Sequence, residues 1–200
     1  GSHVKLTADI SVSHMAGGAF SGIFDGGGKT ITANINGGDA PTALFHSISG
    51  GTIKNLKVAG TISGGQHTAA LLVGLGNSGD NLVEGCVVTA TVNCSSSHMG
   101  GFLAHGNTSN VTIRGCVFNG KMTGGSTAKG IFYGWGDDGG TKSITNCLYL
   151  MADGQNTDGL DLTKMSGGTV TVSNCYKTTD ALSQGTEAIF TSQAPSNIGT

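Results

Sequence analysis

The chain contains two prolines and a single arginine, and only 11% of its residues are charged, against about 25% in an average domain. With Arg114 alone and a net charge of −2, it lacks the basic stripe that a nucleic-acid surface needs. No run approaches the roughly 18 apolar residues of a membrane span, so no membrane insertion is expected. No cysteine pair has the close C-x2-4-C spacing of a structural zinc site. Scarce proline and the lack of a strict G-X-Y period exclude collagen, and apolar residues recurring at regular offsets argue against disorder. There is also no visible export signal, although the opening Gly1-Ser2-His3 looks like a cloning scar. Residues 4–200 are therefore read as one domain.

What is abundant is glycine, 36 of 200 residues, about two and a half times the usual share. Glycine at that density marks frequent sharp corners. Between the corners runs a ladder: Leu56, Cys86, Cys116, Cys147 and Cys175 recur at intervals of 30, 30, 31 and 28. Each follows by three residues a β-branched partner, Ile53, Val83, Ile113, Ile144 or Val172. A second ladder, Phe45, Leu72, Leu103 and Phe132, is spaced 27, 31 and 29. A fixed period near 30 means that each repeat is one coil, which buries its inner face only by stacking on its neighbours.

Within a coil, His67–Gly74 reads as one short strand, Asn81–Val88 as a second and Thr89–Asn93 as a third. Three short strands per turn describe an all-β, parallel β-helix of about six coils, with strands pairing to their equivalents one coil away. Right-handed crossovers are expected. A rod of this kind is about 30 Å long at the usual strand spacing, short for a natural solenoid, so the chain is expected to be a fragment of a larger protein and monomeric. The residue before each ladder position is Asn55, Gly85, Gly115, Asn146 or Asn174, types that tolerate left-handed backbone angles, which predicts a bend there. Five cysteines could suggest a disulfide framework with one thiol left over. Four of them share one inward position, however, which predicts reduced, buried thiols and leaves Cys94 unassigned.

Insertions collect at one corner. First-strand to second-strand anchors are 11, 14, 13 and 15 residues apart, while the return distances are 16, 17 and 16. In repeat proteins such a corner is often the binding face. Here it comprises Ser47–Gly51, Leu75–Asn81, Gly106–Asn110 and Trp135–Lys142.

The run Phe20-Ser21-Gly22-Ile23-Phe24-Asp25-Gly26-Gly27-Gly28-Lys29-Thr30-Ile31 resembles the F-x-G-x-F-D-G-x-G-x-x-I opening of bacterial surface β-helices. Leu44-Phe45, Thr52-Ile53-Lys54-Asn55-Leu56, Leu71-Leu72-Val73-Gly74, Gly101-Phe102-Leu103 and Gly130-Ile131-Phe132-Tyr133-Gly134 resemble GLUG-type repeats of secreted and cell-wall-attached proteins. The resemblance covers residues about 20 to 178, with Ala104-His105 replacing the expected Val-Gly in one coil. It implies an exported, surface-displayed architecture of adhesin type, extracellular or attached to a bacterial cell wall, and it brings no catalytic motif.

The longest copy of the variable corner holds Tyr133, the only tryptophan, Trp135, and the carboxylates Asp137 and Asp138, with His105 and Asn107 one coil below. A sugar presents apolar C–H faces flanked by hydroxyls, so an aromatic ring beside polar acceptors suits a glycan subsite. The competing reading is that Trp135 packs on a neighbouring loop and the Asp pair is solvated. His67 and His98 both fall five residues before a first-strand anchor and should sit one above the other. Two imidazoles in register could hold a metal with a third ligand, but they more often form an exposed polar ladder, and no metal site is assigned. No cofactor is expected apart from calcium, for which Asp25, Asp137 and Asp138 are the candidates. Glu84 and Arg114 read as a surface ion pair.

The expected function is a non-catalytic surface-display or binding module whose partner is a glycan or host surface ligand. The alternative is a pectin-lyase-like polysaccharide-active enzyme, glycoside hydrolase or lyase, since Asn156-Thr157-Asp158, Asp137-Asp138 and His105 superficially recapitulate its acidic motifs. Their order is reversed, and the two-carboxylate geometry such an enzyme needs is not secured by sequence.

Overall fold

The computed structural model describes residues 1–76, 79–125, 128–136, 139–164 and 169–188. The chain winds as a right-handed parallel β-solenoid with three faces, every strand pair being parallel. Paired residues on the second face advance by 29, 30, 30, 31 and 28 positions per turn, after a shorter opening turn of 20 from His3 to Ile23. That face is a seven-stranded sheet that includes Thr52–Lys54, Asp80–Glu84, Asn110–Arg114, Lys142–Thr145 and Val170–Ser173. The third face, ten-stranded, includes Lys57–Gly64, Val87–Val88 and Thr91–Cys94.

The bend between second and third faces is the feature repeated most faithfully. Asn55, Gly85, Gly115, Asn146 and Asn174 all have φ between 51° and 60°, the left-handed region that glycine and asparagine enter at low cost. The first four each donate a backbone N–H to a carbonyl on the next coil, that of Glu84, Arg114, Thr145 and Ser173 respectively. The bend turns the following side chain inward, so Leu56, Cys86, Cys116, Cys147 and Cys175 are all buried. All five cysteines, Cys94 included, are free thiols in the core. Each of the four ladder thiols lies within weak hydrogen-bond reach of a carbonyl one coil back, from 3.8 Å for Cys86 and Ile53 to 3.4 Å for Cys175 and Ile144. The adjoining thiols of Cys147 and Cys86, together with burial, hold the Cys116 thiol well above its usual pKa.

Beside this ladder the core stacks Ile53, Val83, Ile113 and Ile144, and pairs rings across coils, Phe102 on Phe132 with centroids 5.4 Å apart and Phe118 on Tyr149 at 6.1 Å. Arg114 Nε donates to Glu84 Oε1 across 2.7 Å as an exposed pair between adjacent coils.

The first face, an eight-stranded sheet, is less regular than a single strand per coil. In the third coil it divides into Thr68–Ala69 and Leu72–Leu75, and in the fourth into Met99–Gly100 and Leu103–Gly106. The break is a kink. A Cβ on Gly100 would lie 2.0 Å from the Leu103 carbonyl oxygen, and one on Gly130 2.0 Å from that of Tyr133, so backbone approaches backbone too closely for a side chain. Ala43, Ala69, Val73 and Ala104 form a small buried cluster of their own, apart from the main core. The second ladder also runs one residue further on than its spacing suggests: Leu103 pairs with Tyr133, not Phe132, at the same 30-residue offset that joins Met99 to Lys129 and Gly100 to Gly130 ahead of the kink, and the register shifts between Gly130 and Tyr133 where Lys129–Gly136 meets Leu160–Thr163.

Candidate functional site

That one-residue shift changes the expected site. Tyr133 is not part of a ligand surface. Its ring is fully buried, and a Cβ on Gly106 would meet its hydroxyl at 1.8 Å, so the phenol runs beneath the first face of the preceding coil. Trp135 does remain at the surface, half-buried, and pairs across the sheet with His105. Asn107 is spent on the backbone. Its Nδ2 donates to the Leu75 carbonyl at 3.2 Å and its Oδ1 accepts from the Ser109 N–H at 2.9 Å, which shapes the corner rather than freeing an amide for a ligand. Asp137 and Asp138 lie outside the described residues. Asp25, the remaining calcium candidate, accepts from the Gly27 N–H at 2.9 Å and from Asn55 Nδ2 at 3.2 Å, and these bonds, the Gly27 one first, lower its pKa.

What the fold brings together is a patch of four rings on the first face. Met99 pairs with Thr68, which sets His98 above His67 as the five-residue offset predicts, with the two Nδ1 atoms 3.1 Å apart. One imidazole therefore donates the proton that the other accepts. His105 joins them, its ring centroid 4.6 Å from that of His67 and 5.6 Å from that of His98. Trp135 closes the patch by stacking on His98, with centroids 4.2 Å apart and planes 10° from parallel.

The kink explains how His98 and His105 meet. Seven residues of extended strand would separate them by about 23 Å. The reversal at Gly100–Leu103 returns the chain so that the two imidazoles stand side by side. Sequence reasoning found the His67–His98 pair from spacing and missed the third ring because it took the first face as one straight strand. A weak signal was present, since His105 stands two residues after Leu103 where Gly74 stands two after Leu72. The position runs Ser47, Gly74, His105, Trp135 on successive coils.

His67 is also strained. Its φ of 43° makes it, among the described residues, the one residue other than glycine or asparagine in the left-handed region, and such outliers persist only where the surroundings hold them. Burial, then the neighbouring His105, lowers its pKa. The three histidines, all partly exposed, form the one group of three or more potential metal ligands among the described residues, with ligand atoms within 4.8 Å of one another.

In the acidic motif, the described contacts of Asp158 are made by its backbone. Asn156 Oδ1 caps the Asp158 N–H at 2.8 Å, and the buried Lys129 donates Nζ to the Asp158 carbonyl at 3.0 Å. Among the described residues no helix is long and apolar enough to cross a membrane. No family model matches the chain, and neither a curated protein nor a solved structure shows significant similarity to it, so the solenoid fold stands on the strand pairing itself.

Proposed function

We propose that this solenoid is a non-catalytic binding module of an exported bacterial surface protein, and that it takes a glycan at the Trp135 corner. The observation that carries the reading is the Trp135–His98 stack. An indole held at the surface by a parallel imidazole is a rigid platform, and an aromatic face backed by polar nitrogens suits the apolar C–H face and the hydroxyls of a sugar ring. Preorganisation of that kind lowers the ordering cost that a flexible loop would bear on binding. The GLUG-like motifs agree with surface display.

The test is a glycan-array screen with the purified chain, followed by Trp135→Ala on each hit. Binding is expected to fall below detection in the variant, with the far-UV circular dichroism unchanged. Release of reducing ends or unsaturated products from pectins, xylans or mannans, lost on Asp137→Asn, Asp138→Asn or Asp158→Asn, would establish a polysaccharide-active enzyme instead. Glycan binding that survives Trp135→Ala would move the site to another face.

A further inference from the structure

We infer that His67, His98 and His105 form a three-nitrogen site for a divalent transition-metal ion, with Zn2+ as its natural occupant. This goes beyond the glycan reading and does not depend on it. Zinc bound by imidazole has Zn–N distances of about 2.0–2.1 Å, so tetrahedral ligand nitrogens stand about 3.3 Å apart. The two Nδ1 atoms of His67 and His98 are already 3.1 Å apart, close to that separation. The His105 nitrogen has to move by roughly an ångström and a half at most, given that the ligand atoms lie within 4.8 Å of one another and that a ring rotation spans such a distance.

The donor set selects the metal. Three imidazoles without a described carboxylate among them favour Zn2+ and its late first-row neighbours over Ca2+ or Mg2+, which take oxygen ligands. All three rings are partly exposed, so a fourth position faces solvent and accepts water or an exogenous ligand, as in open zinc sites. Two features make the cluster more than a polar ladder. The ring of His67 is presented from a left-handed backbone that a histidine adopts only under constraint. His105 is brought in by a kink whose glycine tolerates no side chain. The ligands also come from two successive coils, so the ion would tie one rung of the solenoid to the next.

The chain carries its own reporter, because its single tryptophan stacks on His98. Co2+ bound at the cluster should quench Trp135 emission and show the visible ligand-field bands of a tetrahedral ion. Titrations use Zn2+ and Co2+ on a His3→Ala background, so that the His3 imidazole does not compete for the ion. One equivalent is expected to bind, with affinity falling at least about 100-fold in His105→Ser, since losing a ligand costs more than the roughly 10- to 100-fold lost when only a ligand's outer-shell partner is removed. Serine is chosen because Ser47 occupies the equivalent position in an earlier coil, so the variant should fold. His67→Gly, which relieves the left-handed strain, should lose binding while its thermal midpoint in the absence of metal stays or rises. Trp135→Ala should abolish glycan binding yet still take up one equivalent of Zn2+, its affinity weakened by about tenfold through the lost stack on His98, so a variant that keeps the metal and loses the glycan separates failure of one proposal from failure of the other. Zn2+ affinity unchanged in both histidine variants, or Co2+ that neither quenches Trp135 nor shows tetrahedral bands, would overturn the assignment and point to His14 or His46.

Discussion

Tyr149 is a fully buried phenol at the centre of the stack, its ring packed on Phe118, and its hydroxyl has no hydrogen-bond partner among the described residues. Burying a hydroxyl unpaired costs about 1–3 kcal/mol. Tyr149→Phe keeps the ring and leaves a void of about 10 Å3, which at the usual cavity cost amounts to about 0.2 kcal/mol. The variant should therefore be more stable than the parent by about 1 kcal/mol or more at neutral pH, a rise of roughly 2–4 °C in Tm for a chain of this size. Alkaline pH enlarges the difference. Burial raises the Tyr149 pKa from 10.0 to about 12, so its contribution is fully present below pH 10 and is lost as pH climbs towards 12, when the unfolded chain ionises and the folded one does not. One group gives at most about 1.4 kcal/mol per pH unit, so the parent loses up to about 2.7 kcal/mol across that window and the variant does not. Urea unfolding followed by circular dichroism at pH 7, 9.5 and 11.5 measures both effects, with lysine deprotonation common to the two proteins. Destabilisation of Tyr149→Phe by 1 kcal/mol or more at pH 7, or parallel pH profiles, would refute the account of an unpaired phenol.

All five cysteines should resist a thiol reagent until the protein unfolds, since none is more than 2% exposed; rapid native-state labelling of several would show the inward register to be wrong. Cys116→Asp should yield no folded protein by circular dichroism, because an isolated charge in that stack has no partner. At the repeated bend, Asn146→Ala should cost about 1–2 kcal/mol in chemical denaturation, the penalty of a left-handed backbone for an ordinary residue, whereas Asn146→Gly should be close to neutral. Glu84→Ala should change stability by less than about 1 kcal/mol at physiological salt, as befits an exposed ion pair.

The inward positions were legible in the sequence because every coil solves the same problem at the same place: one left-handed residue, then one small or medium apolar side chain. Gly85–Cys86 and Asn146–Cys147 announce that solution without any structure. The first face was harder to read. Its kink depends on a close approach between backbones at Gly100 and Gly130, and in so glycine-rich a chain those two glycines carry no distinguishing mark. At Phe132-Tyr133 two large apolar rings stand side by side and both are buried, so the ladder appeared to run through Phe132 when it runs through Tyr133, and a core tyrosine was assigned to the surface. His105 was named as a candidate beside Trp135, but its place next to His67 and His98 was missed because the kink at Gly100 was not foreseen. Trp135 and the His67–His98 pair were found because composition singled out the first and period the second.

The hydrogen bonds that join one coil to the next run along the rod, so tension applied to its two ends loads one rung at a time instead of all together. Each released turn of about 30 residues frees about 100 Å of contour length, and the 20-residue opening turn about 70 Å. A protein built this way yields to pulling in steps, lengthening several-fold while the remaining coils stay wound. That stepwise paying-out of length would absorb mechanical work while the remaining coils keep their shape; a single-molecule extension trace with one all-or-none rupture would show otherwise.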